Sequence, residues 1–263
     1  MEALFNNDKY KWEKDGGAGW EGVQEDSEGN IIAYVSSNKD KSHKTRPKRI
    51  TSSIRRGLIR YLVIAIDYSI SALEKDFRPT RLDAIKSSLK QFIPQYYDEN
   101  PISQLSLIIT RDKIAEKLTE LSGNPKYHEN ILLNNTTNTN NNTLTPYGEP
   151  SLQNILLLAI SILRTVPEYG TREVLILYNS TKTRDPSNIF DTIQLAITYK
   201  IRINIICTSS ELYICKKIAE DTGGMFYVAS DSVHLNELVL GQVQPPPDMK
   251  SSSNYSTDFV YIG

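Results

Sequence analysis

From Leu58 to Leu240 the chain alternates two kinds of segment, and this alternation restricts what it can fold into. The first kind is a short, nearly unbroken apolar run: LIRYLVIAID, ISQLSLIIT, REVLILYNS, IRINIICTS and MFYVA. Runs of that length suit strands buried on both faces, the condition of a parallel sheet. The second kind carries apolar residues at helical spacing. After Pro79, which stands near a helix start, Leu82, Ile85, Leu89, Phe92 and Tyr96 form one stripe. GEPSLQNILLLAISILRTV is apolar nearly all round and is expected to be a buried helix. Asp185 and Pro186 read as the N-cap and first residue of a helix whose stripe is Ile189, Ile193, Ala196 and Ile197. SELYICKKIAEDTGG reads as a helix closed by Gly223, and SVHLNELVL as the last helix. IAEKLTEL alternates less cleanly and suits a short edge strand in a hairpin with the preceding run, and GNP at 123–125 suits a turn. The expected architecture is α/β: a doubly wound, mostly parallel six-stranded sheet with helices on both faces and one antiparallel edge strand.

The texture outside that region sets the domain boundaries. Residues 1–55 are polar and aperiodic and read as an extended or disordered segment, with Trp12 and Trp20 expected to dock on the main domain or a partner. Within it, Lys39 to Arg49 is a basic run, which reads as a solvated arm, a nuclear-import signal or a phosphate-touching arm. The α/β domain is placed at 56–242, interrupted by an Asn/Thr tract at 134–143 with too little apolar surface to order itself. Residues 243–263 read as a Pro/Ser-rich linker. With 39% hydrophobic and 23% charged residues the chain can bury a full core, and a net charge of −1 supplies no field to gather nucleic acid or a membrane surface. No apolar run reaches the roughly 20 residues of a membrane span. Cys207 and Cys215 are the only cysteines; both read as buried thiols in a reducing compartment.

In a doubly wound sheet the chemistry gathers at the carboxyl ends of the strands. Three loops fall there: DYSIS from Asp67, YGEPSL from Tyr147 and YNSTKTRD from Tyr178. Asp67, Ser69 and Ser71 project three oxygens at spacing two, which suits a hard cation such as Mg²⁺. The pattern resembles the metal-ion-dependent adhesion site of von Willebrand factor A domains. That site also takes a Thr from the second loop and an Asp from the third. Here Ser151 stands near the first place and Asn179 or Ser180 at the second, so the site is degenerate. One carboxylate would balance the ion alone, and the expected Mg²⁺ occupancy is weak. The competing reading is metal-free: Asp67 accepts backbone N–H groups and caps the segment next to it. No phosphate-binding loop or nucleophile elbow occurs, which argues against a nucleotide enzyme or hydrolase and against a small-molecule substrate.

Several segments together resemble one family, the A-domain subunit of the transcription and DNA-repair factor TFIIH that binds the XPD helicase. They are YKWEKD…WEGVQEDSEG, RPTRLDAIKSSLKQFIPQYYDENPISQLSLIITRDKIAEKLTELSGNPKYH, GEPSLQNILLLAI, REVLILYNSTKTRDPSNIFDTI, AEDTGGMFYV and QPPP. The resemblance implies a nuclear, non-catalytic subunit that docks and stimulates an XPD-type helicase in transcription initiation and nucleotide excision repair, with other TFIIH subunits as further partners. It implies a Cys-rich zinc-binding region beyond these residues, so no cofactor is expected within them apart from weak Mg²⁺ at Asp67. It places the helicase contact on the loop after the fourth strand, at Lys182, Thr183, Arg184 and Asp185. The alternative is a metal-dependent A domain with a different intracellular partner. Direct DNA contact is left open by the sequence.

Overall fold

The computed structural model describes residues 59–134 and 144–245, together with a two-residue ladder in which Gln24–Glu25 pairs antiparallel with Ile31–Ile32. The chain divides into two units, Met1–Ser52 and Ser53–Gly263. Trp12, Trp20, the basic run, most of the Asn/Thr tract and the linker after Pro245 lie outside the described residues.

The larger unit is built on one six-stranded sheet. Its strands are β1 (Arg60–Asp67), β2 (Gln104–Arg111), β3 (Ile114–Lys117), β4 (Thr171–Tyr178), β5 (Ile201–Cys207) and β6 (Phe226–Val228). Their spatial order is β3-β2-β1-β4-β5-β6, and every pairing is parallel except the β2–β3 hairpin. The fold is therefore the one expected, antiparallel edge strand included. Among the described residues, six α-helices accompany the strands: α1 (Arg81–Glu99), α2 (Pro125–Asn134), α3 (Leu152–Leu163), α4 (Ile189–Thr198), α5 (Tyr213–Asp221) and α6 (Ser232–Leu240).

The apolar run of β1 explains the layering. Its side chains alternate between faces, and all eight residues are buried. Leu62, Ile64 and Ile66 enter one core with Ile85, Leu89 and Phe92 of α1 and Leu235 of α6. Tyr61, Val63 and Ala65 enter the other with Leu152, Ile155 and Leu156 of α3 and Ile193 of α4. A run that is apolar at nearly every position satisfies both cores at once. The tight turn between α5 and β6 is equally specific. Gly223 takes φ +69° as expected, and a Cβ on Gly224 would lie 1.9 Å from the Ile203 carbonyl oxygen.

Three sequence expectations change. α3 is not buried all round: Leu157 is 40% exposed, because the helix packs on the sheet and α4 and leaves its outer side to solvent. α2 is an additional helix just beyond the GNP turn, where His128, Ile131 and Leu132 are buried at helical spacing. Third, α4 starts three residues later than expected, with Asn188 as the N-cap accepting from Phe190 N–H.

A buried ion pair adds a contact that the sequence does not reveal. Arg60 donates to both carboxylate oxygens of Glu173, at 3.0 and 2.7 Å, and to the carbonyls of Gln242 and Val243. The guanidinium lies over the Tyr96 ring, 5.1 Å from its centroid. The pair spans β1 and β4 at their amino ends and fastens the segment after α6.

His128 closes the β2 side. Thr119 Oγ1 accepts the Leu107 N–H at 2.7 Å and lies 2.9 Å from His128 Nδ1, while Nε2 faces the Ser122 carbonyl. A carbonyl only accepts, so Nε2 carries the proton and Nδ1 accepts from the Thr119 hydroxyl. Burial pushes the His128 pKa down to about 4. The unfolded chain therefore takes up this proton first, and stability falls as pH drops from about 6.5 to about 4, by up to roughly 3 kcal/mol. The expected outcome is a flatter pH dependence of urea midpoints over that window in His128→Gln than in the parent. Parallel curves would contradict it.

Candidate protein-docking edge

The order of the sheet reverses between β1 and β4, the place where doubly wound folds open a ligand crevice. Asp67 ends β1 there, and Asn179 and Ser180 come directly after β4. Asp67 Oδ1 accepts the Ser69 N–H at 2.8 Å, and Oδ2 accepts the Asn179 and Ser180 N–H groups, each at 3.0 Å. The Asn179 amide donates back to the Asp67 carbonyl at 2.8 Å and accepts from the Thr208 hydroxyl at 2.8 Å. The crevice is thus bridged by hydrogen bonds. Burial pushes the Asp67 carboxyl above the usual carboxylate range, and the bonds from Ser69, Asn179 and Ser180 oppose that shift.

The donor set fits a divalent cation poorly. Asp67 is its one carboxylate, and both oxygens already accept N–H groups. Ser151, expected as the second-loop ligand, donates its hydroxyl to Asp185 at 2.8 Å instead. Ser180 Oγ accepts the Lys182 N–H. One feature points the other way: Ser69 Oγ is buried beside the carboxylate without a well-formed hydrogen bond. Ser71 lies on the 3-10 turn Ile70–Leu73 and is half-buried. No group of three or more His, Cys, Asp or Glu is arranged to hold a metal among the described residues.

The loop 179–188 is tied at a second point, and here the structure corrects the sequence expectation for Asp185. Asp185 does not cap its own helix; it caps α3 from across the edge. Its Oδ1 accepts the Gln153 N–H at 2.9 Å, the Ser151 hydroxyl at 2.8 Å and the Thr183 hydroxyl at 3.0 Å. Thr183 Oγ1 in turn accepts the Leu152 N–H at 3.0 Å, and Ser151 Oγ accepts the Asn154 N–H. The first three amides of α3 are therefore satisfied by side chains, two of them from the other loop. A negative carboxylate also suits a helix N-terminus.

Gln153 and Arg81 carry no sequence motif, yet both hold this loop. The Gln153 side chain accepts the Ser187 N–H at 2.8 Å and donates to the Ser187 hydroxyl. Arg81 donates to the Asn179 carbonyl at 2.8 Å while its guanidinium pairs with Glu74 and Asp76. The buried Tyr178 hydroxyl supports the loop from below by donating to the Lys182 carbonyl at 2.7 Å. What the loop turns outward is Lys182, exposed, and Arg184, which is 63% exposed and pairs with Glu149 at 2.9 Å. So Thr183 and Asp185 face inward as fasteners, and Lys182 and Arg184 face solvent. Cys207 and Cys215 are free, buried thiols.

Residues 65–263 match the family model described as Ssl1-like. The chain belongs to the Ssl1-like family. This Ssl1-like chain is 40% identical over 234 residues to general transcription factor IIH subunit 2 of Arabidopsis thaliana, covering 87% of the chain and 54% of the relative. It is 34% identical over 245 residues to the general transcription and DNA repair factor IIH subunit ssl1 of Schizosaccharomyces pombe, covering 92% and 56%. The chain spans about half the length of the curated relatives it matches. Among solved structures, the SpRpn10 VWA domain superposes with a TM-score of 0.54 at 18% identity, over 68% of this chain and 94% of that one. The TFIIH p34 N-terminal domain gives 0.54 at 17% identity, over 70% and 98%. These structural likenesses establish the von Willebrand A fold.

The Asp67 bridge makes a graded expectation. Asp67→Asn keeps one accepting oxygen and turns an NH₂ group toward an N–H donor, costing about 1–3 kcal/mol. Asp67→Ala leaves three buried amides without an acceptor and costs more. Urea denaturation checks both; an Asp67→Ala protein as stable as the parent would contradict the assignment.

Proposed function

We propose that this chain is the helicase-docking A domain of a TFIIH core subunit. In this reading it is non-catalytic, works in the nucleus in transcription initiation and nucleotide excision repair, and uses the 179–188 loop to dock and stimulate an XPD-type helicase alongside other TFIIH subunits. The relatives named as TFIIH subunits support the assembly; the chain is 34% to 40% identical to them. The observation that carries the docking role is the loop itself. It is fastened to β1 through Asp67 and to α3 through Thr183 and Asp185, and it presents Lys182 and Arg184 to solvent. A preorganised loop loses little conformational freedom on binding. Its cations can form charge-assisted bonds with acidic groups on the partner.

The non-catalytic role is supported by the bridged switch point. Where an α/β enzyme would open toward a ligand, Asp67 is bonded to Asn179 and Ser180. We read Asp67, Ser69 and Ser71 as a structural relic in which Mg²⁺ binds weakly at best. The buried Ser69 hydroxyl, which lies beside Asp67 without a well-formed hydrogen bond, is the single feature favouring the metal-dependent alternative.

The test is binding and ATPase stimulation with the cognate XPD-type helicase. Lys182→Glu/Arg184→Glu is expected to weaken binding at least about tenfold, or about 1.4 kcal/mol, and to abolish stimulation while the melting curve is unchanged. A folded double variant that binds and stimulates like the parent would rule out this loop as the docking surface.

A further inference from the structure

Ile70 and Leu73 lie on the 3-10 turn directly after the Asp67 loop, and they are 65% and 46% exposed. We propose that these two side chains are the apolar anchor of the docking edge and seat against an acidic, apolar-bearing segment of the same partner that meets the 179–188 loop. The proposal rests on the docking reading and extends it to a second element.

The turn is held rigidly. Ile70 N–H donates to the Gly148 carbonyl at 3.1 Å, Ala72 N–H donates to the Ser69 carbonyl at 3.0 Å, and Ala72 is fully buried. Gly148 itself takes φ +70°, and a Cβ there would lie 2.6 Å from Asp112 Cα. Ile70 and Leu73 are thus displayed by a backbone that is pinned from beneath. Apolar side chains fixed in this way give up little freedom when a partner covers them, which is the condition of an interface anchor.

Continuity with the loop is direct. Gly148, which holds Ile70, precedes Glu149, and Glu149 pairs with Arg184. Arg184 N–H donates to the Pro150 carbonyl. Arg81 bonds the Asn179 carbonyl on one side and the acids beside the turn on the other.

The charges around the turn select the partner's chemistry. Glu74 and Asp76 flank it, and both pair with the one guanidinium of the buried Arg81, which offsets a single charge. Lys75 and Arg78 are exposed, and neither has a carboxylate within ion-pair distance among the described residues. Glu74 and Asp76 keep 54% and 45% of their side chains exposed, so the turn shows both signs, with Lys75, Arg78 and Arg81 outnumbering the two carboxylates by one charge. A segment carrying carboxylates around one or two apolar side chains fits it. The bases then steer association and the two aliphatic side chains hold it.

Three proteins are compared for binding to the purified cognate XPD-type helicase: the parent, Ile70→Ser/Leu73→Ser and Lys182→Glu/Arg184→Glu, each with its melting curve and sedimentation profile. The expected result is a loss of at least about tenfold for the apolar double variant, mostly in dissociation rate, with an unchanged melting curve. Binding of that variant within twofold of the parent, while the loop variant loses binding, would overturn the anchor and leave the docking loop standing. Loss in the apolar variant but not in the loop variant would support the anchor and remove the loop. Full binding by both variants would overturn the docking reading together with the anchor. Self-association of the parent that disappears in Ile70→Ser/Leu73→Ser, with helicase binding intact, would assign the turn to a second copy of this chain and overturn the proposal.

Discussion

Asp67 accepts three backbone amides from two segments more than a hundred residues apart, and the shape of the carboxyl edge depends on that carboxylate. A buried carboxylate is costly to desolvate, which is why burial pushes its pKa up. The amides of Ser69, Asn179 and Ser180 offset that cost, and in doing so they join the turn after β1 to the loop after β4. In a metal-binding A domain a divalent ion occupies the junction between such loops. Here the Asn179 and Ser180 amides donate to Asp67 across it.

A second fastening completes the edge. Thr183 and Asp185 supply two of the three side-chain oxygens at the N-terminus of α3, and Gln153 reaches back to Ser187. The loop that displays Lys182 and Arg184 is therefore bonded along its length. At the opposite end of the sheet, Arg60, paired with Glu173, donates to the carbonyls of Gln242 and Val243. The unit has two poles: a displaying edge at the carboxyl ends of the strands, and an anchored exit of the chain at their amino ends. Removing one member of such a buried pair leaves an uncompensated buried charge.

The sheet is legible in the sequence because its signal is local. Eight consecutive buried residues in β1 can be read without knowing their neighbours, and so can the shorter buried runs of β4 and β5. Asp67 is legible as a site residue for the same reason, since Asp67, Ser69 and Ser71 are close in sequence. The pairings that give those residues their roles are not local. Arg60 and Glu173 are 113 residues apart, and Ser151 and Asp185 are 34 apart, so no spacing rule links them. Capping is read from neighbouring residues, which points Asp185 to the nearest helix, whereas the helix it caps lies earlier in the chain. α2 has a stripe in His128, Ile131 and Leu132, but the helix is short and runs into the Asn-rich tract, where the periodicity stops.

The central claim is that the 179–188 loop is preorganised before any partner arrives. Amide hydrogen exchange of the free chain tests it most directly, because buried, bonded amides exchange only when their hydrogen bonds open. The expected result is that the amides of Asn179 and Ser180, and those of Leu152 and Gln153 at the start of α3, are protected as strongly as the middle of β4. Exchange of these four amides at the rate of an unstructured peptide, with β4 still protected, would contradict the account.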